Sequence, residues 1–234
     1  MDLQITASHW GAPSDAQAGA PGQTGAMKTD LKREIPTYTA RPGRFDVVTV
    51  PPLRYLMVDG QGDPNTAPAY RDALTSLYPL AYTLKFFSKN ELGRDYGVMP
   101  LEALWWADDP TAFTTARDKS RWEWTLMILT PDWITADHLE AARTKVRAKG
   151  DAPVVDEVRL ERLDEGLCVQ TLHVGPYDDE GPVLADLHDR FVPEQGLRLV
   201  GKHHEVYLND ARRTDPAKLR TILRQPVARL ASGS

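Results

Sequence analysis

The chain is almost without cysteine: Cys168 is the single one in 234 residues. An intrachain disulfide is therefore impossible. No zinc-type Cys/His spacing surrounds Cys168, so a buried, inert thiol is expected, and no cationic cluster stands beside it to make a nucleophile. Long apolar runs are also missing. None reaches the ~18 residues of a membrane-spanning helix, so a cytoplasmic protein with no membrane partner is expected. There is no basic excess either, since 28 Lys+Arg face 33 Asp+Glu, a net charge of −5. A binder of the phosphate backbone carries the opposite balance, so no nucleic-acid partner is expected. Gly60-Gln61-Gly62 lacks the third glycine of a dinucleotide loop, and neither a phosphate-loop motif nor a Gly-x-Ser-x-Gly elbow occurs.

What is present is ordinary for a globular protein, 41% hydrophobic and 26% charged, enough for one large domain or two small ones. Residues 1–26 differ from the rest. They are rich in Ala, Gly, Ser, Thr, Gln and Pro and have no apolar signal core, which predicts a disordered leader ahead of Met27. Residues 229–234 read as a disordered tail, leaving 27–228 as one domain.

From Phe45 onward strand and helix signals alternate. Phe45–Val50 and Arg54–Gly60 suit two antiparallel strands around Pro51-Pro52. A helix follows, with Tyr70, Ala73, Leu74, Leu77, Tyr78, Ala81 and Leu84 at helical spacing, and Pro79 is expected to kink or divide it. Met99–Trp106 and Trp122–Leu129 read as strands. Thr135 opens a second helix that Gly150 closes. The pattern then restarts: Val158–Arg162 and Leu167–Val174 read as paired strands, a helix carries Leu184, Leu187 and Phe191, and His203–Leu208 is a strand. Pro216–Arg224 reads as a short closing helix. Gly60 and Gly175 occupy similar strand-to-helix turns, as do Asp63 and Asp178. This weak repetition predicts an α+β fold of two halves, about 45–133 and 156–226, each strand-helix-strand-strand and related by a pseudo-twofold. With helices on one face of each half, the other faces would form a central ligand cleft.

The residues with most chemical content lie in His203-His204-Glu205-Val206-Tyr207-Leu208. Alternation sends His203, Glu205 and Tyr207 to one side and His204, Val206 and Leu208 to the other. The apolar side suits a helix cover. The carboxylate between an imidazole and a phenol suits the polar floor of an aromatic pocket, or else a solvated strand face. Adjacent histidines on a strand point apart, so no metal site is expected. In His173-Val174-Gly175-Pro176-Tyr177-Asp178-Asp179-Glu180, helix capping alone explains an acid, but not three acids and a tyrosine at a strand mouth. Trp105, Trp106, Trp122 and Trp124 are each as well suited to a core as to a ligand wall. Glu102 falls where the repetition places a counterpart of Glu205.

These residues resemble the GyrI-like small-molecule-binding proteins. The likeness runs through Met99–Trp106, His173–Glu180, His203–Asp210 and Lys218–Val227, over about residues 28–228. It implies a duplicated strand-helix-strand-strand fold with a ligand cleft on the pseudo-twofold axis and the family's central pocket glutamate at Glu205. Relatives serve as effector domains of multidrug-responsive regulators and bind lipophilic aromatic cations over an acidic residue. With only the low-complexity residues 1–26 ahead of Met27, the chain looks like the stand-alone branch. Some of those members hydrolyse the cyclopropane of spirocyclopropyl-cyclohexadienone DNA-alkylating antibiotics, using paired acids in an aromatic pocket. The resemblance places Glu180 and Glu205 as that catalytic pair; a helix N-terminus would suit Glu180 to be the base, and partial burial on the strand floor would let Glu205 keep a proton. Tyr177, Tyr207, Trp105, Trp106, Trp124, His173 and Glu102 would bind a small aromatic substrate, and no cofactor is required. A non-catalytic sequestering module, or a regulator acting through a protein partner, remains the alternative.

Overall fold

The computed structural model describes residues 28–108 and 118–230. The expected leader lies outside the described residues. Nine strands assemble into one antiparallel sheet: β1 (Asp46–Val50), β2 (Leu53–Gln61), β3 (Leu101–Trp106), β4 (Glu123–Thr130), β5 (Arg159–Leu163), β6 (Gly166–Val174), β7 (Leu197–Leu199), β8 (His203–Tyr207) and β9 (Arg220–Arg229). Their order is β1-β6-β9-β8-β3-β4-β2-β5, with β7 added on β9. The fold is α+β, as expected. The strand order mirrors itself about the β8–β3 pair, whereas the helices on the two sides are unlike in length.

Neither expected hairpin closes on itself. β1 pairs with β6 and β2 with β5, so the strands flanking Pro51-Pro52 and Asp164–Gly166 part and cross to the far halves of the sheet. Proline supplies no N–H to close a tight ladder at Pro51-Pro52. At the second turn Glu165 is drawn beneath the sheet by ionic partners described below. The expected closing helix is also replaced. Asp215 caps a single 3₁₀ turn at Pro216–Lys218, and the chain then runs as β9, the longest strand, between β6 and β8. Leu219, Ile222 and Leu223 have helical spacing, but both neighbouring strands there offer unpaired backbone, and satisfying it outweighs local preference. Arg229 belongs to this strand, and Leu230 N–H still donates to Gly196 O at 2.9 Å. Residues 229 and 230 are therefore part of the fold, and the rest of the expected tail lies outside the described residues.

One sheet face carries the helices. α1 (Leu31–Glu34) is a single turn in the N-terminal segment, whereas α2 (Pro68–Glu91) runs 24 residues through Pro79 undivided. Its buried stripe Ala73, Leu77, Leu80, Ala81, Leu84 and Ser88 packs on β2, β4 and α3 (Ala136–Arg147). Burial of that stripe, at ~25 cal/mol per Å² of apolar surface, offsets the lost hydrogen bond at Pro79. α3 opens with the Thr135–His138 capping box. The second helical run comprises α4 (Gly181–Ala185), a π-helical turn Asp186–Phe191 and α5 (Val192–Glu194). Leu187 and Val192 seat it on Val169, Leu197 and Val227. The opposite face is crossed by the segment around Thr37–Thr39, whose carbonyls bind Arg224 and Gln170.

Candidate functional site

Residues opposite one another in an antiparallel ladder share a face. Glu205 stands opposite Ala103, and Trp105 stands opposite both His203 and Trp124. Thr221 pairs with Tyr207 and with His173. So His203, Glu205, Tyr207, Trp105, Trp124, Thr221 and His173 all lie on the helix-bearing face, between α2 and the 181–194 run. The expectation of a cleft on the helix-free face is therefore corrected. The far side, where Val206 is buried, is covered instead by the segment that carries Thr37 and Tyr38, which bond Arg224 and Glu102.

The arrangement is specific. Tyr207 donates its phenol proton to Glu205 Oε2 at 2.6 Å, and Trp105 Nε1–H donates to the Tyr207 oxygen at 3.1 Å. Tyr177 meets Tyr207 edge to face at 5.5 Å. Tyr70, from the first turns of α2, lies parallel to Trp105 at 6.3 Å and edge-on to Trp124 at 5.2 Å. Trp122 stands edge-on to Trp105 at 5.6 Å. Trp124 is fully buried, its indole N–H donating to Gly62 O at 3.3 Å. Gly60 makes room for it: a Cβ there would sit 2.1–2.6 Å from the Trp124 ring. His173 holds the next turn, with Nε2 3.0 Å from Pro176 O. That turn needs Gly175, whose φ is 139°.

Glu180 enters from the turn after Tyr177–Asp179. It is buried, makes no side-chain cap, and its Oε1 has no hydrogen-bond partner. Burial, and then the charge of Glu205, push its pKa up to about 10, while the nearby Thr221 hydroxyl and Lys119 pull only weakly the other way. Glu180 is thus the acid that keeps its proton at neutral pH. The expectation that a helix dipole ionises it is corrected, because α4 has only five residues and the side chain is buried. Thr221 Oγ1 is also buried and unpartnered.

Two expected members are elsewhere. Glu102 stands opposite Val206 and Trp106 opposite Glu123, which puts both on the far face. Trp106 lies under the Lys202 ammonium, 3.1 Å from the ring centroid. It borders an open hollow of about 370 Å³ with Asp59, Gln61, Glu123 and Arg159, remote from Glu205. Glu102 is fully buried; its Oε1 accepts from Tyr38 and its Oε2 lies 3.0 Å from His204 Nε2. His204 Nδ1 meets Glu165 Oε1 at 2.9 Å, and Arg224 donates to Glu165 Oε2 at 3.1 Å, to Gln170 and to Thr37 O. Burial would raise the Glu165 pKa, but His204 and Arg224 hold it at about 2. Burial would lower that of His204, yet Glu165 and Glu102 raise it. Each carboxyl oxygen of Glu102 and Glu165 has a partner among Tyr38, His204 and Arg224, so this network is a packed polar core.

Sequence reasoning missed Tyr70 as a wall residue, and also Thr221. An aromatic two residues after Pro68, in the first turn of an amphipathic helix, was the available signal for Tyr70. Thr221 had none once β9 was read as helix. Among the described residues no cluster of three or more His, Cys, Asp or Glu side chains could hold a metal ion. No helix there is long and apolar enough to cross a membrane.

An antiparallel sheet with buried acids and stacked aromatics between its helices defines a small-molecule-binding α+β domain. The chain belongs to the family of the GyrI-like small molecule binding domain, whose model matches residues 44–228. Solved structures from Listeria innocua are similar over 86% of this chain and the whole of theirs. An uncharacterized conserved protein has 37% identity and a TM-score of 0.78. A protein described as a hydrolase has 37% identity and a TM-score of 0.73. The EcmrR C-terminal domain, at 12% identity and a TM-score of 0.50, shares the fold alone. No curated protein matches the chain.

Proposed function

We propose that the chain binds flat, lipophilic aromatic molecules against Trp105, Tyr70 and Tyr207 and hydrolyses the cyclopropane of cyclopropanoid DNA-alkylating antibiotics, a detoxification. The observation that carries this reading is the buried carboxyl of Glu180, its Oε1 unpartnered, beside Glu205 under an aromatic wall. A hydrolase at 37% identity supports it. Glu205 Oε2 is held by Tyr207, which leaves Oε1 to take a proton from water. The hydroxide oxygen attacks the cyclopropane CH₂, the strained C–C bond breaks, and its electron pair makes the dienone a phenolate. Glu180 gives its proton to the phenolate oxygen and is reprotonated from Glu205 as product leaves, so one water is added to the substrate overall and both carboxyls return to their starting state. Such acid–base help is typically worth 10²–10⁴-fold. Aromatic stacking fixes the flat ligand and excludes bulk water.

Side-chain exposures of 13% for Glu205 and 15% for His203 support ligand access to the wall from this side. Mass spectrometry of a spirocyclopropyl-cyclohexadienone after incubation tests the reaction. Many equivalents gaining one water each per protein is the expected result. A ligand that binds and is recovered unchanged supports the second reading, a sequestering module, which the family's small-molecule binding favours.

A further inference from the structure

Glu180 and Glu205 account for the two proton transfers, but not for a further unused group beside them. Thr221 is fully buried in β9, and its Oγ1 has no hydrogen-bond partner. Ladder register sets it between Tyr207 on β8 and His173 on β6. Both neighbours are engaged elsewhere. The Tyr207 phenol donates to Glu205 and accepts from Trp105, and His173 turns its Nε2 to Pro176 O. The Thr221 hydroxyl does stand near the Glu180 carboxyl, close enough to favour the ionised acid, yet Glu180 Oε1 and Thr221 Oγ1 are both left unpartnered. Threonine suits a strand because its Cβ is branched, but valine has the same shape and no hydroxyl to desolvate. Buried polar atoms in native structures are nearly always satisfied. Two unused ones side by side point to a polar atom that arrives with a ligand.

We propose that Thr221 is a further catalytic residue, an oxyanion donor whose hydroxyl, together with Glu180, holds the carbonyl oxygen of a cyclohexadienone as it becomes a phenolate. This rests on the reading that the chain opens cyclopropanoids with water. The two acids then divide the work. Glu205 acts on the water that attacks the cyclopropane CH₂, and Glu180 with Thr221 acts on the oxygen that receives the electron pair of the broken C–C bond. Thr221 donates a hydrogen bond to that oxygen and keeps its proton, whereas Glu180 transfers its own. A donor already in place needs no reorganisation during the reaction. It bonds the oxygen most strongly when the negative charge there is largest, so it lowers the barrier more than it tightens substrate binding.

Turnover of a spirocyclopropyl-cyclohexadienone by the full chain, followed by mass spectrometry, tests this. Thr221→Val should lower kcat about 100-fold, the loss typical of one oxyanion donor, while KM stays within about threefold. Its unfolding midpoint should equal or exceed that of the wild type, because a buried hydroxyl without a partner is removed. Thr221→Ser keeps the hydroxyl and should hold kcat within about fivefold of the wild type. If Thr221→Val does not fold, Thr221→Ser against Thr221→Ala isolates the same hydroxyl. The proposal is overturned by any of three results: a Thr221→Val kcat within about threefold of the wild type, a KM that rises in place of a falling kcat, or Thr221→Ser no better than Thr221→Ala. Wild-type protein that leaves the dienone unchanged overturns the hydrolase reading, and this role with it. Wild-type turnover that Thr221→Val does not impair overturns this role alone.

Discussion

Strand β8 carries a buried acidic cluster on each of its faces, and the two are opposites. On the far face all four carboxylate oxygens of Glu102 and Glu165 have partners in Tyr38, His204 and Arg224. On the helix face Glu180 Oε1, Thr221 Oγ1, His188 Nε2 and both nitrogens of His203 have none. The far-face cluster is the more deeply buried of the two, so burial alone does not identify a site. Saturation does. A charge cluster in which every carboxylate oxygen has a partner holds strands together, even with the Tyr55 and Thr37 hydroxyls beside it unpartnered, and one with an unpaired carboxyl oxygen is arranged for something else.

The largest expected effect lies on the saturated side. Arg224→Met leaves Glu165 buried beside a single cation, and should cost about 3–5 kcal/mol in urea denaturation, as breaking a buried ion pair does. A loss below about 1 kcal/mol would mean that the far-face network does not hold β6, β8 and β9 together, and the contrast between faces would break.

On the unsaturated side the order of effects reverses, with activity lost and stability kept. Glu180→Gln and Glu205→Gln should each lower cyclopropanoid turnover by at least about 100-fold, and the double variant should be little worse because the pair acts as a unit. Glu180 also has a pH signature. Its folded pKa of about 10 stands above the ordinary 4.5. Its contribution to stability is therefore full below pH 4.5 and is lost progressively as pH rises toward 10. Unfolding free energies of Glu180→Gln should accordingly fall less steeply between pH 5 and 9 than those of the wild type, by about the slope of one proton. Equal slopes would show that Glu180 is not the proton carrier.

The smallest change sharpens the comparison. Tyr207→Phe removes the phenol that holds Glu205 Oε2, and should lower turnover about tenfold, the worth of one hydrogen bond to a charged group. Stability should fall by about 1 kcal/mol, because the Trp105 indole N–H loses its acceptor, while affinity for a flat ligand should change little because the edge contact of Tyr177 with the ring remains. A stability loss as large as that of Arg224→Met would make Glu205 a structural acid like Glu102.

Much of the site was legible one strand at a time. Alternation in His203–Leu208 separates Glu205 and Tyr207 from His204 and Val206, and the structure keeps that separation. The Gly175-Pro176-Tyr177 turn announces a strand mouth, and Thr135 a helix start. Glu102 and Trp106 were misplaced because alternation says which residues share a side and is silent on which side faces the helices. The hairpins at Pro51-Pro52 and Asp164–Gly166 were misread because turn residues show where the chain bends and leave open which strand it then pairs with.

The amino-acid sequence by itself determined the strand periods, the amphipathic stripe of α2, the absence of disulfide and membrane-span chemistry, and the grouping of Glu205 with Tyr207. These follow from local sterics and from the two- and 3.6-residue repeats, which need no knowledge of distant residues. Tertiary structure alone decided that β9 is a strand, that Glu180 comes to lie beside Glu205, and that the far-face acids are fully partnered while the near-face acid keeps its proton. Each of those depends on which groups surround a side chain in space. Ladder pairing, desolvation and Coulomb energy are set by neighbours tens of residues away, and in a buried site they outweigh local preference.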